Sequence, residues 1–269
     1  MTIIKFSNIV KSYSKDTQVI ENLDLSIEEG EFITILGPSG CGKTTLLKMV
    51  NKLITPDKGE IFIKGKEINQ WDTIELRRNI GYVIQQIGLF PHMTINDNIN
   101  FVLKLEKNDM DYMNKRAKEL VQLVGLHEEV LIRYPRELSG GQKQRIGVAR
   151  ALAANPDIIL MDEPFGAVDE IARTRLQNEL KDLHKKLKKT ILFVTHDIEE
   201  ALKLGTKTIL LNNGKIEQMG TKEDLIFKPA TKFVKEFLGV KGFKSIIDEK
   251  IFEEMYEQEL IKKEKELLL

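Results

Sequence analysis

The sequence predicts an α/β fold, and three observations predict it. The apolar run Phe32-Ile33-Thr34-Ile35-Leu36 has the length and texture of a buried strand, and it passes directly into a glycine-rich loop with a helix behind it. Two further runs, Ile158-Ile159-Leu160-Met161 and Thr190-Ile191-Leu192-Phe193-Val194-Thr195, repeat that texture and stop at polar pairs, Asp162-Glu163 and His196-Asp197. Stretches with helical spacing lie between the runs, the alternation that an α/β chain requires.

The loop is Gly37-Pro38-Ser39-Gly40-Cys41-Gly42-Lys43-Thr44-Thr45. Glycines at 37, 40 and 42 let the backbone curl until several N–H groups converge on one point. The helix that begins at about Lys43 turns the partial positive charge of its N-terminus toward the same point. Lys43 adds a full charge for outer phosphates, and the Thr44 hydroxyl is placed to ligate the Mg²⁺ that travels with a nucleoside triphosphate.

At 269 residues the chain can bury a sizeable core as one large domain or two closely joined ones. Lys plus Arg equals Asp plus Glu at 41 each, which removes net charge as a reason to expect nucleic acid or an anionic membrane surface as partner. The single cysteine, Cys41, cannot form an internal disulfide, and the N-terminus carries no secretory apolar region. No apolar segment approaches the ~18 to 20 residues of a membrane span. A cytosolic chain is expected, with any membrane role peripheral.

In chain order, residues 2 to 10 and 18 to 27 alternate apolar and polar as half-buried strands do. Tyr13, between them, reads either as an aromatic covering a sheet edge or as a ring on which a flat heterocycle stacks. Pro56 and Gly59 mark a loop, followed by a short strand at 60 to 66, a helical piece at 73 to 78 and a strand at 80 to 86 that ends in amides. Gln85, at that end, is either an exposed polar residue or a carboxamide that completes a Mg²⁺ shell and holds a water. Gly88-Leu89-Phe90-Pro91-His92-Met93-Thr94 puts apolar side chains in a loop, as surfaces covered by another protein often do.

Helical spacing at 95 to 105, 111 to 124 and 142 to 155 makes residues 95 to 154 a mainly helical insertion. Its third helix opens with Leu138-Ser139-Gly140-Gly141-Gln142. Ser139 is a good N-cap, and the paired glycines, costly in a helix, favour the close approach of an anion to bare N–H groups. Asp162 suits a Mg²⁺ shell, and Glu163 could polarise a water aimed at a terminal phosphate. Asp169 opens a helix to about Leu187, and His196 either bonds a backbone group or, if its strand runs parallel to the others, could contact the terminal phosphate. A hairpin at 206 to 219 turns through Asn212-Asn213-Gly214, helical pieces span 222 to 238, and 243 to 269 reads as one charged amphipathic helix.

This ordered set resembles the ATP-binding cassette subunits of membrane transporters over about residues 3 to 240. Gly37 to Thr44 matches that family's phosphate loop, Ile158 to Asp162 its second nucleotide strand, and Leu138 to Gln142 its signature sequence. The resemblance implies a phosphate-loop NTPase (RecA-like) core with an antiparallel β subdomain at 1–94 and 155–240, a helical signature subdomain at 95–154, and a C-terminal extension at 241–269. By position, Tyr13 looks like the adenine-stacking aromatic, and Gln85, Glu163 and His196 look like the catalytic glutamine, base and histidine. Thr44, Gln85 and Asp162 are the implied Mg²⁺ ligands.

The family pattern also implies two cassettes closing head to tail on two ATP molecules. Ser139, Gly140, Gly141, Gln142 and Asp169 of one copy would then contact the nucleotide held by the loop of its mate. The segment from Gln85 to Met93 would face an integral membrane permease, with a solute-binding protein as an indirect partner. The runs Tyr82 to Thr94 and Phe193 to Ala201 are similar to importers of quaternary-amine osmoprotectants such as glycine betaine, carnitine and choline. An importer of amino acids or inorganic ions is the alternative within transport, and a soluble ATP-dependent regulatory switch is the alternative outside it.

Overall fold

The computed structural model describes residues 1–14, 17–85, 88–166 and 168–244. Two long strands open the chain, β1 (Thr2–Ser14) and β2 (Thr17–Glu28), and β3 (Phe32–Leu36) leads into α1 (Lys43–Val50). Then come β4 (Lys58–Ile63), β5 (Lys66–Glu67), α2 (Thr73–Arg78) and β6 (Ile80–Val83). The helical stretch holds α3 (Ile95–Ile99), α4 (Phe101–Leu105), α5 (Met110–Leu123) and α6 (Gly140–Ala151). The chain returns through β7 (Ile158–Asp162), α7 (Glu170–Leu187), β8 (Thr190–Val194) and α8 (Ile198–Leu204). It continues as β9 (Lys207–Asn212), β10 (Lys215–Gly220), α9 (Lys222–Phe227) and α10 (Lys232–Lys244).

These strands make two sheets, an antiparallel one in the order β2-β1-β4-β5 and a larger one in the order β10-β9-β3-β8-β7-β6. Within the larger sheet β9, β3, β8, β7 and β6 run parallel, and only β10 is antiparallel, through its hairpin with β9. All residues of β3, β7 and β8 are buried, as expected of strands covered on both faces. Their alternate side chains divide between two cores. Ile33, Ile35, Ile158, Leu160, Leu192 and Val194 pack with α1 and the antiparallel sheet, while Phe32, Ile159, Met161, Ile191 and Phe193 pack with the helical stretch and α7. The period of two along a strand thereby joins both layers to one sheet.

Register places the site. Ile35 lies opposite Val194, Val194 opposite Asp162, and Met161 opposite Val83. The polar residues that follow β3, β6, β7 and β8 therefore leave the sheet along one edge, the carboxyl edge where parallel α/β sheets place their ligands.

Three sequence expectations are revised. Gly59 sits inside β4 at φ +88, where the ladder to β1 shifts between Ser7 and Val10. A Cβ there would come within 2.4 Å of the Ser7 carbonyl oxygen, so this glycine marks a bulge and not a loop. The helix expected over 95 to 105 is broken at Asn100, whose side-chain amide turns back to Asn96 Oδ1 at 3.1 Å. The loop side chains Leu89, Phe90 and Met93 are half-buried: Leu89 packs on the helical core, and the Phe90 ring lies 4.7 Å from that of Phe101. Part of the apolar texture that suggested an outside partner is satisfied within the chain. Of the charged amphipathic helix expected over 243 to 269, residues 245–269 lie outside the described residues, as does Gln86 at the end of the strand expected over 80 to 86.

Candidate active site

β3 delivers the chain into the phosphate loop, whose three glycines, Gly37, Gly40 and Gly42, all take positive φ. Gly42 stands at φ +105 as the residue before α1, and a Cβ on it would meet Ile20 Cδ1 at 2.6 Å; one on Gly37 would meet the Leu211 carbonyl oxygen at 2.1 Å. α1 carries no side-chain cap, so its first N–H groups are presented to the curl. Ser39 and Gly40 form the exposed rim, and Pro38 is half-buried. The Lys43 ammonium is buried and donates to the carbonyls of Gly37 and Pro38, each at 2.8 Å, which holds the charge over the loop with a third N–H to offer a phosphate. Cys41 is buried beside it, and burial pushes its thiol up from the ordinary value, away from the reactive thiolate. The Tyr13 ring is exposed while its hydroxyl lies 3.1 Å from Thr45 Oγ1, so the aromatic stands beside the first turn of α1.

At the end of β7, Thr44 donates its hydroxyl to Asp162 Oδ1 at 2.9 Å. Burial raises the Asp162 carboxyl above its ordinary value, against the opposing pull of the Thr44 hydroxyl. The neighbouring Tyr82 hydroxyl is pushed up to about 12, by burial first and by the Asp162 charge second. A buried carboxylate beside a hydroxyl is a pair of hard oxygen donors short of positive charge, which fits a divalent cation. Among the described residues no group of three His, Cys, Asp or Glu could hold a metal. An ion on Thr44 and Asp162 would complete its shell with water and phosphate oxygens, as Mg²⁺ does.

One residue on, Glu163 takes φ +43, with its N–H on the Val194 carbonyl at 2.9 Å and its own carbonyl accepting from Gly166 at 3.2 Å. That left-handed turn swings its side chain to the sheet edge. Gln85 Nε2 donates to Glu163 Oε2 at 3.3 Å, and His196 Nδ1 lies 3.2 Å from the same oxygen. Both neighbours engage Oε2, which leaves Oε1 for a water.

Ser139, Gly140, Gly141, Gln142 and Asp169 form a separate set. Ser139 and Gln142 make a reciprocal capping box at the start of α6, with Ser139 N–H to Gln142 Oε1 at 2.9 Å and Gln142 N–H to Ser139 Oγ at 3.3 Å. A Cβ on Gly140 or Gly141 would meet nothing within 4 Å, so the chain itself does not demand glycine there. Asp169 caps α7 through Ala172 N–H at 3.0 Å. Among the described residues none of these bonds to Lys43, Thr44, Asp162 or Glu163.

Sequence reasoning missed Asn98. Fully buried, it accepts from Phe90 N–H at 2.7 Å and donates to the carbonyls of Phe90, Met93 and Thr94, fixing the loop beyond Gln85. Its signal was an amide one turn after the Thr94 cap of α3.

Residues 20–166 match the family model described as ABC transporter. Over 237 residues, or 88% of this chain, it is 55% identical to the choline transport ATP-binding protein OpuBA and 54% identical to the glycine betaine/carnitine/choline transport ATP-binding protein OpuCA, both of Bacillus subtilis (strain 168). The matched region is 62% of the length of each relative. Among solved structures, a dimeric ATP-binding cassette in a post-hydrolysis state bound to ADP and Pi superposes with a TM-score of 0.72 at 38% identity, over 81% of this chain and 98% of that one. A family model spanning more than half of the residues, and a solved cassette matched over nearly its whole length, lead to one assignment: the chain is an ATP-binding cassette of the ABC transporter family.

Proposed function

We propose that this chain hydrolyses ATP to energise an importer of quaternary-amine osmoprotectants. The observation that carries the hydrolytic reading is the convergence of Gln85 and His196 on one oxygen of Glu163, next to the Thr44–Asp162 pair. Glu163 Oε1 takes a proton from the attacking water, Gln85 and His196 hold the carboxylate in place, and His196 meets the terminal phosphate. Lys43 and the N–H groups of the loop bind the phosphates, with Pro38, Ser39, Gly40, Cys41, Gly42 and Thr45 shaping the curl, and Tyr13 stacks on the adenine. Thr44, Asp162 and Gln85 hold Mg²⁺, which neutralises phosphate charge when bound.

The open space at Gly140 and Gly141 supports a site completed by a second copy, in which Ser139, Gly140, Gly141, Gln142 and Asp169 approach the nucleotide of the mate. The names of the relatives support the cargo class, and with it an integral permease, a solute-binding protein and a place on the inner face of the membrane. Among the described residues no helix is long and apolar enough to cross a membrane. Glu163→Gln tests the chemistry: it keeps the shape and both neighbours, so ATP binding stays within about threefold while turnover falls at least about a hundredfold. Hydrolysis near the parent rate would remove Glu163 as the base.

A further inference from the structure

Behind Glu163 and His196 lies a cavity of about 40 Å³, lined by both residues together with Arg173, Thr195, Asp197 and Glu200. Arg173, in the first turns of α7, spans two loops with one guanidinium. Its Nη2 donates to the Val168 carbonyl at 3.0 Å, the residue before Asp169, and its Nη1 lies 4.0 Å from Asp197 Oδ2, the residue after His196. It also lies 3.5 Å from the exposed Glu170.

One turn along the same helix, Gln177 Nε2 donates to Glu200 Oε1 at 3.1 Å, and both side chains are buried. Glu200 sits in α8, whose cap is Asp197: Oδ1 accepts from the Glu200 N–H at 3.1 Å, which leaves Oδ2 toward Arg173. The Asp197 N–H in turn donates to Thr195 Oγ1 at 3.0 Å. Two polar ties, a turn apart on α7, therefore reach the two ends of the α8 cap. Burying a carboxylate and a carboxamide is costly unless they are hydrogen-bonded, and this pair is, which holds α7 and α8 in one arrangement.

We propose that Arg173, backed by the Gln177–Glu200 pair, is a positioning residue that ties the Val168–Asp169 loop to His196 and so sets His196 against Glu163. The tie makes the placement of one catalytic side chain depend on the loop that precedes α7. It rests on the reading of His196 given above. Lysine cannot replace the arginine, because one ammonium on a flexible stem does not reach a carbonyl and a carboxylate in fixed directions.

A double-mutant cycle on the full-length chain tests it, with steady-state ATP hydrolysis, equilibrium ATP binding and thermal melting as readouts. Arg173→Ala is expected to lower kcat about tenfold or more, the size expected of a small misplacement, with KM and ATP affinity within about twofold. Arg173→Lys is expected to restore little of that loss. In a His196→Ala background the same Arg173→Ala change is expected to add less than about twofold, because the residue through which it acts is gone. Asp197→Asn keeps the helix cap and weakens only the charge contact, so it carries the same cycle should Arg173→Ala fail to fold. An undiminished loss in the His196→Ala background, or an unchanged kcat in both single variants, overturns the tie. A His196→Ala chain that turns over at the parent rate overturns the reading of His196 itself, and the two failures are told apart by that single variant.

Discussion

Glu163 is a non-glycine residue held at φ +43, a conformation that costs of order 1–3 kcal/mol and persists only where its surroundings impose it. Here the imposing bonds are its N–H on Val194 and its carbonyl on Gly166, and the result is a carboxylate aimed at the sheet edge. A charge-shape argument of the same kind applies to Thr44. If its hydroxyl and Asp162 form the cation site, Thr44→Ala weakens ATP binding by about 1–3 kcal/mol in Mg²⁺ and hardly at all in excess chelator. Titrations under the two conditions check this, and an equal loss in both would remove Thr44 from the metal.

His184 gives a pH signature. Burial lowers its imidazole from the ordinary 6.5, with the Gly30 carbonyl at 3.0 Å from Nε2 acting in the opposite sense. The unfolded chain therefore takes up a proton near 6.5 that the folded chain refuses until lower pH, so stability is full above 6.5 and is lost as pH falls through the folded pKa. The melting temperature of the parent should decline from about pH 7.5 to about pH 5.5, and the decline should be shallower in His184→Gln. Identical slopes would contradict the assignment.

Among the elements, those written as short apolar runs were legible from sequence because burial on both faces of a parallel sheet leaves little room for polar residues. β3, β7 and β8 lie where those runs lie. α6 begins at Gly140, as the Ser139 cap requires. The bulge at Gly59 and the break at Asn100 were not legible, since each is set by a partner distant in sequence or by an amide that turns back on its own helix. The loop after Gln85 belongs with them. Asn98 uses both ends of its side chain to hold that loop, so Asn98→Ala should destabilise the fold by about 2–3 kcal/mol and open residues 88–94 to protease. Urea unfolding and limited digestion measure the two effects, and an unchanged midpoint with an uncut loop would show that the loop is held by other means.

At the scale of the whole chain, the sheet gathers Lys43, Thr44, Asp162, Glu163, Gln85 and His196 on one edge, because the parallel register aligns the strand ends that carry them. The residues taken singly are separate motifs that only the family resemblance joined; the register supplies the physical reason that they meet. Ser139 and Asp169 stand apart from that group, each satisfied by its own helix, and the glycines beside Ser139 face open space. Under the proposed function, a mate would bring the phosphate loop of one copy and the anion-ready start of α6 of the other together. The solved cassette it resembles is dimeric.

The most direct measurement is the mass in solution of the Glu163→Gln chain with and without ATP, by light scattering. ATP should convert the 30.9 kDa chain to a species of twice that mass, and Ser139→Arg, at the cap of α6 with no bond to Lys43 or Thr44 among the described residues, should abolish the conversion while leaving ATP binding intact. A chain that binds ATP and remains a monomer, or a Ser139→Arg variant that still dimerises, would contradict the account.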